Sequence, residues 1–172
     1  IMGLGVLGAR VARAVQAFDF PLLGWSRTRR SIDGVRCFAG DAELDDFLAA
    51  TRVLVLLLPL TEATRGLLDQ ARLRRLRPGA YLINVARGAL AVEDDLRLVL
   101  DDGHLAGAAL DVMAEEPLPP DHWLWRQPGV TLTPHVSGMT MRAEAVVQVA
   151  QAVRALARGE PLPGLVDRAR GY

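Results

Sequence analysis

Two sets of residues in this 172-residue chain have the types and spacing to do chemistry. The first is Gly3-Leu4-Gly5-Val6-Leu7-Gly8, a G-x-G-x-x-G run that leads straight into an apolar-periodic stretch containing Val11, Ala14, Val15 and Phe18. Such a run makes a tight strand-to-helix turn. With side chains missing, a pyrophosphate can approach backbone N–H groups at the positive end of a helix dipole. Gly3, Gly5 and Gly8, with Val6 and Leu7 between them, are therefore candidate dinucleotide-binding residues. The second set is Arg87, Glu116 and His135, each just past the end of an expected strand. Ligands of open α/β sheets bind at that edge. A guanidinium, a carboxylate and an imidazole gathered there suit anion recognition and proton transfer. Glu115 is an alternative to its neighbour Glu116.

The end of the second expected strand, Trp25-Ser26-Arg27-Thr28-Arg29-Arg30, bears on the choice of dinucleotide. An NAD site has an acid here for the ribose 2′-OH, and this segment contains none. Ser26, Arg27 and Arg29 offer a hydroxyl and guanidinium forks, the groups that suit a 2′-phosphate. The expected cofactor is NADP, with NAD as the alternative.

The elements that must position these groups are legible as short aliphatic runs alternating with helical patterns. That is the signature of a doubly wound parallel sheet covered on both faces. Strands are expected near Pro21 to Ser26, Arg52 to Leu58, Gly79 to Val85, Leu105 to Asp111 and Gly129 to Leu132. Helices are expected at Val6 to Phe18, Asp41 to Ala50, Gln70 to Leu76 and Val92 to Asp101. Leu118 to Pro128, rich in proline and carrying Trp123 and Trp125, reads as an ordered irregular loop. A long helix from about Thr140 to Arg158 follows, with Ala143, Val146, Val147, Ala150, Val153 and Ala157 on one face. Gly159, Pro161, Pro163 and Gly164 end it. The expected organisation is a dinucleotide-binding domain over 1–138, its first strand truncated to Ile1 and Met2, then the helix and tail over 139–172.

Composition narrows the chemistry further. All 20 basic residues are arginine, balanced by 20 acids, and lysine is absent. Walker-type phosphate loops and Schiff-base enzymes, which need a lysine, are excluded. Zero formal charge gives no general pull toward nucleic acid or an anionic membrane. A single cysteine, Cys37, and no Cys/His spacing of the zinc type argue against a disulfide scaffold or a metal site. With no bilayer-length apolar run, a cytoplasmic location is expected. The glycine run starts two residues into the chain, so the sequence is expected to be part of a longer polypeptide. The remaining candidates have plain readings. His104 is expected in an exposed turn, and His122 has no obvious partner. Trp123 and Trp125 are expected as loop anchors, and Arg72, Arg74, Arg75 and Arg77 as a solvated helix end.

Beyond these patterns, the chain resembles the D-isomer-specific 2-hydroxyacid dehydrogenases. The residues that carry the resemblance are the glycine run, Leu57-Leu58-Pro59 with Thr61 and Thr64, Asn84-Val85-Ala86-Arg87-Gly88, Gly107 to Val112, Glu116-Pro117-Leu118-Pro119 and Thr133-Pro134-His135. Trp25-Ser26-Arg27, Phe38-Ala39-Gly40, Val92 to Leu96 and Val166 to Tyr172 resemble the glyoxylate/hydroxypyruvate reductase A branch, which prefers NADPH. The resemblance implies a Rossmann-type fold and NAD(P)H-dependent reduction of a small 2-oxo acid, glyoxylate to glycolate or hydroxypyruvate to glycerate. In that reading His135 is the general acid, Glu116 orients it, and Arg87 grips the substrate carboxylate. Asp111 lies near the nicotinamide carboxamide. Leu58, Pro59, Thr64, Val85, Ala86 and Gly138 line the cofactor channel. Met113 stands where the family commonly has an aromatic residue. The resemblance also implies a homodimer, and a substrate domain, preceding the glycine run, on which the C-terminal helix and tail would pack. The alternatives are a dinucleotide-sensing module of the corepressor type and a catalytically inactive fragment of the reductase.

Overall fold

In the computed structural model, residues 1–162 and 164–168 are described. Pro163 and the end of the Val166 to Tyr172 motif, Ala169 to Tyr172, lie outside them. The chain divides into two compact units, the first spanning Ile1–His135 and the second starting at Val136, three residues before the boundary expected from the sequence.

The first unit is built on one parallel sheet. Its strands are β1 (Leu22–Ser26), β2 (Val35–Ala39), β3 (Val53–Leu56), β4 (Ala80–Asn84), β5 (Leu105–Leu110) and β6 (Val130–Leu132). β1 pairs with β2, and β3 to β6 pair in chain order. The two groups are joined through Met2, which bridges in parallel to both Trp25 and Leu56. Met2 donates its N–H to Val55 O and accepts from Leu57 N–H, while Trp25 N–H donates to Ile1 O. Two residues thus occupy the central position of a Rossmann-type sheet, in the spatial order β2, β1, Met2, β3, β4, β5, β6. Because all strands are parallel, every carboxyl end opens on the same edge.

The helices are α1 (Val6–Gln16), α2 (Leu44–Ala50), α3 (Gln70–Leu73) and α4 (Glu93–Asp101). α2 sits against the sheet through Leu44, Phe47 and Leu48, and α4 through Leu96, Val99 and Leu100. These join Met2, Leu54, Leu56, Leu68, Leu82 and Leu105 in one buried cluster. α3 is one turn only and ends at Leu73, three residues before the expected Leu76. Asp69 caps it, accepting the Arg72 N–H. β2 was not among the expected strands. It is a five-residue edge strand with a single neighbour, and its exposed Arg36, between half-buried Val35 and Cys37, interrupts the apolar pattern.

Arg72, Arg74, Arg75 and Arg77 are more than a solvated helix end. Arg72 and Arg77 donate to the carbonyls of Leu67 and Ala49, and Arg74 and Arg75 pair with Asp102 and Asp45. His104 is half-buried rather than exposed; Gly79 N–H donates to its carbonyl and Asp102 accepts its N–H.

In the second unit, α5 (Arg142–Ala157) contains no buried residue. The expected apolar face is present as sequence, but Val146, Val147 and Val153 are each more than half exposed. Among the described residues no helix is long and apolar enough to cross a membrane.

Leu82, fully buried in β4 with strands on both sides, tests this core. Leu82→Ala is expected to lower unfolding stability by about 2–5 kcal/mol, read by urea denaturation.

Candidate active site

The glycine turn is shaped by close contacts on two of its three glycines. Gly3 has φ +109°, and a Cβ there would lie 2.6 Å from Leu57 O. A Cβ on Gly8 would lie 1.8 Å from Gly3 O. Those two positions require glycine for packing, whereas the Cβ position of Gly5 has nothing within 4 Å. Gly5 is the N-cap of α1, with no side-chain cap and no acid in the first turn, and Val6 and Leu7 are exposed. The open, uncapped and positively polarised helix end fits a phosphate group.

At the end of β1, Ser26 is buried and its hydroxyl donates to Thr28 O. Arg27 is exposed. Arg29 is placed differently from expectation. It donates to Cys37 O and pairs with Glu43, which also accepts the Ala39 N–H at 2.8 Å. Glu43 lies well beyond the segment read for the absence of acid, and folding brings it beside the arginines. Thr64 also has a local role, donating to Pro59 O and accepting from Thr61 N–H, which closes the loop leaving β3. Leu58 and Val85 are half-buried, Pro59 is exposed and Ala86 is buried, at the exits of β3 and β4. Gly138 belongs to the second unit, and its Cβ position is open.

The three strand-exit residues come together. Arg87, Glu116 and His135 line one open cavity of about 220 Å³ with Leu60, Ala89 and Met113. His135 Nδ1 lies 2.8 Å from Glu116 Oε2. Glu116 Oε1 accepts the Met113 N–H at 2.9 Å. Glu116, not Glu115, is therefore the partner of the imidazole. His135 has φ +54°, a left-handed conformation that costs a non-glycine residue about 1–2 kcal/mol. Its N–H donates to both Asp111 O and Thr133 O, which holds the turn. Asp111 is buried, and its carboxylate accepts from the Thr133 hydroxyl. Arg87 is exposed and uses one N–H on Ala86 O.

Several residues that build this site had no evident role in the sequence. Asn84, buried at the end of β4, donates to Arg87 O, accepts from Ala86 N–H and receives the Asp111 N–H on its carbonyl. An asparagine at a strand end is the one signal that pointed to it. A Cβ on Gly88 would lie 1.9 Å from the Met113 carbonyl carbon, so only glycine lets the two loops meet. His122 has a partner after all: its Nε2 lies 3.4 Å from Glu93 Oε2. Trp123 packs on the core, whereas Trp125 is largely exposed with its indole N–H on Pro119 O.

A glycine-turn helix end and a hydrogen-bonded imidazole–carboxylate pair on one edge of a parallel sheet are the features of a dinucleotide-binding Rossmann-type domain. The chain belongs to the D-isomer-specific 2-hydroxyacid dehydrogenases, whose NAD-binding domain family matches residues 1–137. It is similar to a 2-hydroxyacid dehydrogenase from Xanthobacter autotrophicus Py2, solved with NADPH and MES, at 43% identity and a TM-score of 0.97, covering 99% of this chain and 71% of that one. An NADPH-dependent glyoxylate/hydroxypyruvate reductase from Sinorhizobium meliloti, solved with NADP and sulfate, is 41% identical with a TM-score of 0.95. A probable 2-hydroxyacid dehydrogenase from Rhizobium etli CFN 42, solved with NADP, HEPES and L(+)-tartaric acid, is 40% identical with a TM-score of 0.93. Each of these two matches covers 99% of this chain, which spans 55% of either relative.

The hydrogen bond from His135, followed by that from Met113, holds the Glu116 carboxyl below its ordinary pKa of 4.5. A depressed carboxylate contributes stability above the ordinary value, and that contribution is lost as pH falls through the lowered one. His135→Ala is expected to move the Glu116 titration midpoint back up toward 4.5, followed by carboxyl ¹³C NMR.

Proposed function

We propose that this chain is the cofactor-binding half of an NADPH-preferring reductase of small 2-oxo acids such as glyoxylate and hydroxypyruvate. The observation that carries the reading is the His135–Glu116 pair at 2.8 Å in the same cavity as Arg87. With Nδ1 turned to Glu116, Nε2 is the nitrogen left for substrate. The carboxylate holds the ring in one orientation. Arg87 binds the substrate carboxylate, a planar bidentate task, and its positive charge polarises the adjacent carbonyl. Nε2–H then gives its proton to the carbonyl oxygen as negative charge develops there. A reduced nicotinamide, when bound, supplies the hydride to the carbonyl carbon, and the product is the 2-hydroxy acid. In the reverse direction the neutral imidazole accepts the hydroxyl proton.

The NADPH preference is supported by Trp25-Ser26-Arg27 at the β1 exit and by relatives solved with NADPH or NADP. Arg27, in the Trp25-Ser26-Arg27 run, is assigned to the 2′-phosphate, and the Arg29 guanidinium pairs with Glu43.

The direct test follows NADPH oxidation by the intact protein with glyoxylate and hydroxypyruvate. His135→Ala is expected to lower kcat by about 10²- to 10⁴-fold with little change in NADPH affinity. Absence of oxidation with every small 2-oxo acid, despite NADPH binding, would overturn the enzyme reading. Arg27→Ser is expected to weaken NADPH relative to NADH by about tenfold, as loss of a charged hydrogen bond to phosphate does. Arg29→Ser is expected to change that ratio much less.

A further inference from the structure

Glu93 stands at the first position of α4, outside the cavity, and touches the loop that carries Glu116 at one point and the proline-rich loop after it at another. Its Oε1 accepts the Ala114 N–H at 2.8 Å. Its Oε2 lies 3.4 Å from His122 Nε2, with both side chains about four-fifths buried at 21% and 19% exposure. His122 Nδ1 accepts the Leu124 N–H, which leaves a neutral imidazole with its proton on Nε2, facing Glu93. The stem of Glu93 is therefore clamped between the Glu116 loop and the proline-rich loop that follows it.

The two acids divide the work along the loop. The Met113 N–H is capped by Glu116 itself, and the next N–H, that of Ala114, is capped by Glu93. The Glu93 cap falls on the Met113–Ala114 peptide, the one against which Gly88 packs, and the Glu116 cap falls on the N–H just before it. Glu93 also follows Arg87 by six residues, through the short 3-10 turn Gly88–Leu90. One carboxylate thus ties the segment bearing Arg87 to the loop bearing Glu116.

On the reading proposed above, we infer that Glu93, backed by His122, is a positioning residue. It sets the Glu116 carboxylate, and through it the His135 imidazole, against Arg87. It touches neither substrate nor cofactor. What matters at this position is a hydrogen-bond acceptor at the length of glutamate, since the essential contact is with a backbone N–H. Misplacing a reacting group by even an ångström is costly, so the effect belongs in kcat rather than in cofactor binding.

The test uses the intact protein and four versions of residue 93: wild type, Glu93→Ala, Glu93→Asp and Glu93→Gln. Glu93→Ala and Glu93→Asp are expected to lower kcat for 2-oxo acid reduction by about tenfold or more while leaving the NADPH Kd unchanged. Glu93→Gln keeps an acceptor for the Ala114 N–H at the same reach while turning its amide NH2 toward the His122 Nε2–H, and is expected to retain more activity than Glu93→Asp. Independently of turnover, ¹H–¹⁵N spectra of the histidine rings, assigned with His135→Asn, report the His135 Nδ1–H. That signal is expected to shift or broaden in the Ala and Asp variants and to return in the Gln variant. Should Glu93→Ala not fold, Glu93→Asp and Glu93→Gln decide the matter alone. An Asp variant with wild-type kcat and an unchanged His135 signal overturns the inference, as does a Gln variant no better than Asp. A wild-type protein that binds NADPH but reduces no 2-oxo acid overturns the catalytic reading instead, and the ring spectra still decide whether Glu93 positions the pair.

Discussion

Two loops that leave neighbouring strands meet backbone to backbone at Gly88, and the candidate site depends on that contact. A methyl group there would sit within 2.0 Å of the Met113 carbonyl carbon and oxygen. Without a side chain, the β4 exit bearing Arg87 and the β5 exit bearing Glu116 approach closely enough to share one cavity. The remaining contacts hold that approach in place. Asn84 ties the two exits together through Arg87 O and Asp111 N–H, and the β6 exit is joined by His135 N–H on Asp111 O. Backbone polar groups at strand ends need partners, and here the partners are the neighbouring exits.

Carboxylates in this unit act largely on backbone N–H groups. Asp69 caps α3, Asp95 accepts from Gln70 N–H, Glu43 from Ala39, Glu116 from Met113 and Glu93 from Ala114. Each such bond fixes a loop by a charge-assisted contact, stronger than a neutral one. Where an arginine is the partner, as for Glu43 and Arg29, the acid also removes that cation from the pool available to a ligand. Guanidinium groups are the only side-chain cations other than histidine in a chain without lysine.

The helix-facing and sheet-facing patterns were strong enough to place most elements. Leu44, Phe47 and Leu48 in α2, and Leu96, Val99 and Leu100 in α4, are buried as their spacing required. β2 escaped because it is a five-residue edge strand whose apolar run is broken by the exposed Arg36. The central strand is a more pointed case. Ile1 and Met2 are too few to read as a strand from periodicity, and the family resemblance marks them as a truncated first strand; Met2 pairs on both sides because β1 and β3 each offer it an unpaired edge.

What the sequence by itself determined is the set of local shapes: the glycine turn into α1, the parallel sheet, and the three polar residues at strand exits. Local shape follows from residues close in the chain, through sterics, periodicity and helix polarity. What only the tertiary structure decided is which charges meet. Arg29 goes to Glu43, His122 to Glu93, and His135 to Glu116 rather than Glu115. Those partners lie on different elements. Their distance is set by how closely two backbones can pack, and at Gly88 a single absent methyl group sets it.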